Sequence, residues 1–258
     1  TVAVPVDERS EAGLRYGDWE QSRRAQVLEK SQGRIGYLHL RAMGGNDIAD
    51  FAREFYTNIN REGLIIDVRR NNGGNIDSWI IEKLLRRRWA FWTYEHASPQ
   101  FNMQQTFAGH LVVLIDERTY SDGETFAAGI KALKLALLIG QRTAGAGIAT
   151  TVNETAQGVT GALMGASNTG PDGGSTFSAA STAEFGQFSA ENGRWLIEGR
   201  GVSPDIAVVN LPHDSFNGGD AQLEAALSHL DNKLKTKPLK PAVPEAIPAV
   251  GTPGWDMH

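Results

Sequence analysis

The feature that most constrains this chain is the segment at residues 111–130, LVVLIDERTYSDGETFAAGI. Its apolar run, residues 111–115, stops at a charged triplet, and a serine then opens a pattern with helical spacing. The segment therefore predicts a buried strand, a tight connection and a helix that begins at Ser121.

Ser121 supports two interpretations at that position. Ser121-Asp122-Gly123-Glu124 fits the S-x-x-E capping box, in which the serine only satisfies backbone donors, and this is the more common use of such a residue. The first-turn amides of a helix also lack partners, and the macrodipole gives them partial positive charge. They can therefore stabilise the oxyanion that forms when a hydroxyl attacks a carbonyl. These residues alone favour the cap.

Composition narrows the class of protein. The chain has 258 residues, of which 41% are hydrophobic and 21% charged, which is typical of a soluble globular protein. This length favours one large domain over two small ones. A net charge of -5 gives no electrostatic reason to expect nucleic acid or an anionic membrane as a partner. No stretch approaches the roughly 20 apolar residues of a membrane span. We expect a soluble protein, cytoplasmic or periplasmic.

The residue composition also disfavours cysteine chemistry and metal chemistry. The absence of cysteine excludes disulfides, thiolate metal sites and a cysteine nucleophile. His, Asp and Glu do not cluster at ligand spacing, so we predict no metal and no cofactor. The first residues lack a starting Met and a signal-peptide apolar region, which leads us to expect the middle of a longer polypeptide or a processed end.

Helical and strand patterns alternate along the chain. Helices are predicted over residues 7–31, 47–58, 76–89, from 121 onward and about 219–235, and strands over 33–40, 64–68, 111–115, 135–139 and 206–209. This alternation indicates parallel crossover units and an α/β fold. Ligands bind beyond the carboxyl ends of such strands, and both Gly73-Gly74 and Ser121 follow strand ends. We therefore expect them to share one site.

Less regular segments separate these elements. The glycine-rich turn at residues 140–147 lacks the spacing of a phosphate-binding loop. Residues 157–183, rich in Gly, Ala, Ser and Thr, are predicted as a surface loop, although strands of small residues would also fit. Residues 185–197 are predicted as β-hairpin material. The segment after residue 235 is proline-rich and predicted to be an extended tail.

Five segments, in order, closely resemble one known family. GRIGYLHL, GLIIDVRRNNGG, LVVLIDERTYSDGETFAAG, LIGQRTAGAG and GVSPDIAV are similar to the catalytic core of the tricorn-like enzymes, within the C-terminal-processing (tail-specific) serine peptidases. The similarity runs from about residue 15 to residue 234 and omits the small-residue segment. It implies a ClpP/crotonase-like α/β sandwich, with a mainly parallel sheet and flanking helices. Together with the sequence patterns above, it divides the chain into a helical lead-in (1–32), a peptidase core (33–235, with 157–183 as a small-residue loop or insertion) and a proline-rich tail (236–258).

The resemblance assigns roles to particular residues. Ser121 matches the nucleophile that forms the acyl-enzyme, and the backbone amides of Gly74 and Asp122 match the oxyanion hole. Glu198, in EGRGVSPD, matches the glutamate that assists the serine–histidine network. Gly73 is assigned to substrate binding beside them. A hydroxyl nucleophile needs both a base and preorganised donors, so the set is chemically coherent.

Two departures from the family pattern matter. None of the six histidines matches the catalytic one, which the resemblance implies to lie upstream of a PDZ-like domain, in the same polypeptide or in another subunit. A homo-oligomer acting on peptides or unfolded proteins is implied as well. Trp92 stands where these enzymes carry an acidic residue that selects basic P1 side chains. We therefore assign Trp92 to substrate binding and expect an apolar rather than a Lys or Arg preference.

Two other functions remain open from the sequence. An inactive, peptidase-like module that holds peptides or partner proteins would also lack the histidine, although it would have no need of Ser121, Gly74 and Glu198 together. An acyl-CoA enzyme of the crotonase type could share the fold, but Ser121 at a helix start has no required role in it.

Overall fold

The computed structural model describes residues 5–93, 99–154 and 179–243. Six helices are described: α1 Glu8–Lys30, α2 Asp47–Thr57, α3 Asp77–Leu85, α4 Asp122–Ala132, α5 Pro212–Phe216 and α6 Ala221–Thr236. The described strands are β1 Ile35–His39, β2 Gly63–Asp67, β3 Phe91–Trp92, β4 Gln100–Phe101, β5 His110–Ile115, β6 Leu137–Gly140, β7 Ala149–Glu154, β8 Ala179–Phe185 and β9 Ile206–Ala207. Among these residues no helix is both long and apolar enough to cross a membrane.

A parallel sheet forms the centre of the molecule. Its strand order is β1-β2-β5-β6-β9, and each neighbouring pair is parallel. Helices α2, α3 and α4 connect its first four strands in sequence. Every residue of β1 and β2 is buried, as expected of parallel strands covered on both faces. The predicted α/β fold, with a mainly parallel sheet and flanking helices, is confirmed.

The two faces of the sheet bury separate apolar layers. Alternate residues of one strand point to opposite faces, so that Leu64 and Ile66 pack with Phe51, while Ile65 packs with Leu230. Helices α2, α3 and α4 therefore cover one face, and α1 and α6 cover the other. This sandwich leaves the strand ends open at the edges of the sheet.

A buried ionic network attaches α1 to the core. The Arg69 guanidinium lies 2.6 Å from an Asp67 carboxylate oxygen and 2.8 Å from one of Asp220, which caps α6. Arg23 of α1 also contacts Asp220, at 3.3 Å, and both arginines lie 5.5 Å from the ring centre of Trp19. Because these contacts join α1, the end of β2 and α6, the charged first helix packs as part of the core.

Two local predictions are wrong, and a third is confirmed over a short stretch. Helix α3 ends at Leu85 rather than at Trp89, because Arg86 already has an extended backbone with ψ 145°. Residues 179–183 of the predicted loop belong to β8, which pairs antiparallel with β7. The predicted hairpin material at 185–197 is present as a short antiparallel bridge between Phe188 and Trp195. Residues 155–178 and 244–258, which hold the rest of the predicted loop and most of the tail, lie outside the described residues.

Candidate active site

The carboxyl ends of β2 and β5 bring the glycine turn to the serine. The two strands are adjacent and parallel, with Asp67 opposite Leu114. A methyl group built on Gly73 would lie 2.6 Å from Ser121 Cβ and 3.1 Å from Ser121 Oγ. Gly73 therefore packs directly against the serine side chain, as the strand-end argument anticipates.

Ser121 has a strained backbone at the start of α4. Its φ of 51° and ψ of -118° depart from the extended conformation of an ordinary N-cap residue. Such backbone values cost about 1–3 kcal/mol in a non-glycine residue and are concentrated at functional sites. The glutamate half of the capping box is present, since Glu124 Oε2 accepts the Ser121 N–H at 3.2 Å. Capping alone does not explain the strain.

Two backbone N–H groups beside the serine have no protein acceptor among the described residues: those of Gly74 and Asp122. The Asp122 nitrogen lies 3.3 Å from a methyl built on Gly73. Gly74 is held against the segment at Met43, whose carbonyl accepts the N–H of Asn75 at 2.8 Å. A methyl on Gly74 would lie 1.9 Å from that carbonyl oxygen, so only glycine fits there. The arrangement offers two donors near one hydroxyl.

Asn71 holds the two loops together, and the sequence analysis did not identify this role. Its side chain is buried, and Oδ1 accepts the Gly73 N–H at 2.8 Å while Nδ2 donates to the Leu40 carbonyl at 2.8 Å. Its carbonyl accepts the N–H of Tyr120 at 3.0 Å. Asn71 opens the turn Asn71-Asn72-Gly73-Gly74, and such a turn marks this residue, because Asn side chains bond their own backbone two residues onward.

The Asp122 side chain points away from the serine and binds the start of α3. Its Oδ2 accepts the N–H groups of Ile76 at 2.9 Å and Asp77 at 3.1 Å. Burial, together with the nearby Asp77 carboxylate, raises the pKa of Asp122 to about 6. The same residue therefore presents its amide at the serine and anchors the next helix with its carboxylate.

Glu124 is a completely buried carboxylate at the site, and sequence reasoning identified it only as a capping residue. Besides the Ser121 N–H, it accepts the Thr143 hydroxyl at 2.6 Å, the Gly145 N–H at 2.6 Å and the Ala146 N–H at 2.8 Å. These donors belong to residues 143–148, which we name the β6–β7 turn. Glu124 therefore joins the turn to the start of α4.

Glu198 contacts the other end of the β6–β7 turn. Its Oε2 accepts the N–H groups of Gly147 and Ile148, both at 2.9 Å, and the neighbouring Gly199 N–H donates to the Gly145 carbonyl at 2.8 Å. Within the described residues, no hydrogen bond joins Glu198 to Ser121 directly. The turn and Glu124 connect the two.

Two of the described histidines, His39 and His110, form hydrogen bonds away from Ser121. His39 is buried, with Nε2 2.7 Å from the Tyr16 hydroxyl and Nδ1 2.9 Å from the Asp67 carbonyl, and burial lowers its pKa. His110 Nε2 lies 2.8 Å from the Lys237 carbonyl. Among the described residues, no histidine is hydrogen-bonded to Ser121. His96 and His258 lie outside the described residues.

Trp92 lies in the two-stranded β3–β4 sheet, where it pairs with Gln100 and is 58% exposed. No hydrogen bond or ring contact in the described part of the chain joins it to Ser121. Its assignment to substrate binding therefore stays a prediction.

Comparison with known proteins identifies the class. Residues 34–208 match the model of peptidase family S41, which spans the sheet, the serine and Glu198. The chain belongs to peptidase family S41.

Within this family, the chain is similar to proteins named as tricorn proteases or tricorn-like proteases. The chain is 36% identical over 250 residues to the putative tricorn protease homolog 2 of Streptomyces coelicolor, covering 96% of this chain and 19% of that protein. It is 35% identical to the putative tricorn-like protease C-terminal subunit of Sulfurisphaera tokodaii, covering 92% and 25%. The crystal structure of the tricorn protease superposes with a TM-score of 0.71 at 30% identity, over 86% of this chain and 20% of that one. The chain thus spans 19–25% of the length of these relatives.

Proposed function

We propose that this chain is the core of a peptidase that hydrolyses peptide bonds through an acyl-enzyme on Ser121. The observation that carries the proposal is the pair of unused N–H donors, of Gly74 and Asp122, beside a half-buried serine with a strained backbone. In the proposed reaction the hydroxyl attacks the peptide carbonyl, and the developing oxyanion accepts both N–H groups. Preorganised donors of this kind contribute about 3–4 kcal/mol each to transition-state stabilisation.

The proposed mechanism needs a general base that takes the serine proton. None of the described histidines is hydrogen-bonded to Ser121, and none of the six in the sequence matches the family's catalytic histidine. We therefore assign this role to a histidine outside this chain, either upstream in the same polypeptide, beside a PDZ-like region, or in another subunit. One relative is named as a C-terminal subunit, which supports a core that works together with a separate chain. Glu198 is proposed to assist the serine–histidine network when that histidine is present.

The substrate in this proposal is a peptide or an unfolded protein, bound by a homo-oligomer. Gly73 allows the backbone of the turn to approach the serine, and therefore the substrate, closely. Trp92 is proposed to contact the P1 side chain, where an indole favours apolar groups and cannot neutralise a cation.

Replacing the nucleophile separates this function from a non-catalytic module that only holds peptides. Ser121→Ala and a control, Ser228→Ala on the exposed face of α6, would be made in the natural polypeptide that contains this chain. Hydrolysis and equilibrium binding of one peptide series would be measured for both. A peptidase loses hydrolysis in the Ser121 variant alone and retains binding. Binding by the unaltered protein with no hydrolysis would instead favour the interaction module.

A further inference from the structure

Residues beyond the proposed catalytic set take part in the geometry of the site, and Glu124 has the most contacts there. Its carboxylate is not exposed to solvent. Within the described part of the chain, it also forms no ion pair with a Lys, Arg or His side chain. A buried carboxylate without a cationic partner is costly unless hydrogen bonds compensate it. Here four donors do so: the N–H groups of Ser121, Gly145 and Ala146 and the hydroxyl of Thr143.

The four donors come from two separate parts of the chain. Oε2 accepts from Ser121, at the start of α4, and from Ala146, in the β6–β7 turn. Oε1 accepts only from the turn, from Thr143 and Gly145. One side chain thus fixes the distance between the nucleophile's own backbone nitrogen and the turn.

The same turn holds Glu198 from its other end. Glu198 Oε2 accepts the N–H groups of Gly147 and Ile148, immediately after the residues that Glu124 binds. Thr143 strengthens this connection, because its hydroxyl donates to Glu124 while accepting the Val202 N–H at 2.7 Å. A continuous path of hydrogen bonds therefore leads from Ser121 through Glu124 and Thr143 to Val202, in the segment that carries Glu198.

We propose that Glu124 is a positioning residue for catalysis, which holds Ser121 in its strained backbone conformation and sets the position of Glu198 through the β6–β7 turn. This inference rests on the proposed peptidase function and adds to it a residue that touches neither the substrate nor the histidine. Charge-assisted hydrogen bonds suit the task, since they are shorter and stronger than neutral ones. Helix capping would require only the bond to Ser121 and would not explain the three donors in the turn.

The chemistry of the carboxylate predicts how two substitutions differ. A glutamine at position 124 can keep its oxygen on the Ser121 and Ala146 N–H groups and donate its amide to the Thr143 oxygen, which leaves the Thr143 O–H and the Gly145 N–H without the acceptor that Oε1 provides. An alanine leaves every donor unpaired. Because displacement of a reacting group by about 1 Å can cost roughly 100-fold in rate, we expect Glu124→Ala to lower kcat about 100-fold with little change in KM. We expect Glu124→Gln to retain roughly tenfold more activity than Glu124→Ala.

The kinetic test compares both variants with the unaltered natural polypeptide and with Asp205→Asn. Asp205 is a matched control, because its carboxylate also accepts a backbone N–H, that of Leu138 at 2.9 Å, but at the opposite end of β6. A folded Glu124→Gln variant with lowered kcat and unchanged KM, alongside an unaffected control, supports the inference. A folded Glu124→Gln variant with the kcat of the unaltered protein overturns it. If Glu124→Ala does not fold, the glutamine variant decides.

A second readout does not depend on activity. Amide hydrogen exchange would be followed at Ser121, Gly145 and Ala146 in the glutamine variant. We expect faster exchange at Gly145 and retained protection at Ser121 and Ala146, because the glutamine oxygen keeps those two bonds. Unchanged protection at all three amides would contradict the proposed role. If the unaltered protein hydrolyses no peptide, the proposed function fails, whereas the exchange result still tests whether Glu124 joins the nucleophile to the turn.

Discussion

Asp122 Oδ2 accepts the backbone N–H of Asp77 at 3.1 Å, which places two carboxyl groups together at the start of α3. Burial and this neighbour raise the pKa of Asp122 from 3.8 to about 6. Between these values the folded protein holds a proton that the unfolded chain has released. Stability therefore falls as the pH rises from about 4 to about 6.

Replacing Asp77 by asparagine should lower the pKa of Asp122 towards its ordinary value, because the repulsion between the carboxylates is removed. The variant should be more stable than the unaltered protein at pH 7, with the difference disappearing below about pH 4. Carboxyl NMR titration and urea unfolding as a function of pH measure both quantities. Asp214→Asn, in an exposed position of α5, serves as the control. An unchanged Asp122 titration would refute the assignment.

Gly73→Ala should abolish hydrolysis, since the added methyl would lie 2.6 Å from Ser121 Cβ and the residue has a φ of 85°. Gly193→Ala is the matched control: its φ of 70° imposes a similar backbone strain, but nothing lies within 4 Å of the added methyl. Steady-state hydrolysis and thermal unfolding of both variants separate two effects, the steric clash of the added methyl with Ser121 and the backbone strain of an alanine at positive φ. Equal losses of activity in the two variants would contradict contact between Gly73 and the nucleophile.

Arg69→Met should destabilise the protein by about 3–5 kcal/mol, because Asp67 and Asp220 would remain buried without their cation. Arg53→Met is the control, because the Arg53 side chain on α2 is 65% exposed. It should change the free energy of unfolding by no more than about 0.5 kcal/mol. Urea unfolding at pH 7 measures the difference. A similar small effect for both variants would show that the network contributes little.

The pH dependence of that network has the opposite sign to that of Asp122. Burial alone would raise the pKa of Asp220, but Arg69 outweighs burial and lowers it to about 2. Its stabilising contribution is therefore present above about pH 4 and is lost as the pH falls towards 2. Asp220→Asn should remove this acid-dependent part of the unfolding curve. If the free energy of unfolding of the variant falls just as steeply at acid pH, the loss of stability there belongs to other carboxylates.

Trp92→Asp should shift P1 selectivity towards Lys and Arg, because a carboxylate can neutralise a cationic side chain and an indole cannot. The ratio of kcat/KM for P1 Arg and P1 Leu peptides measures the shift. Trp89→Asp, which alters a 71% exposed tryptophan before the same strand, tests whether added charge alone is responsible. A strong Arg preference in the unaltered protein would contradict the assignment of Trp92.

The sequence predicts the parallel sheet and the meeting of Gly73 with Ser121 because both depend on local signals. Apolar runs ended by polar turns mark buried strands, and adjacent parallel strands bring their carboxyl ends together. Contacts between distant segments have no such signal. Thr143 and Gly145 bind Glu124 from some twenty residues away, and nothing in S-x-x-E indicates those donors.

The errors in secondary structure also have physical causes. Strand β8 consists largely of Ala, Ser and Thr. Because these small side chains differ little in hydrophobicity, the sequence does not show the alternation of apolar and polar residues that marks a strand. The arginine run after α3 favours helix by propensity, but Arg88 is instead held 3.7 Å over the Phe101 ring of β4. Tertiary contacts override local preference in both cases.

Reaction with a fluorophosphonate tests the central claim most directly. The natural polypeptide that contains this chain would be treated with the reagent, and intact mass spectrometry would show whether an adduct has formed. Peptide sequencing would then locate the modified residue, with the Ser121→Ala variant as the control. We predict a single adduct on Ser121 that is absent from the variant. No adduct on a folded, histidine-containing protein, or an adduct on another residue, would contradict it.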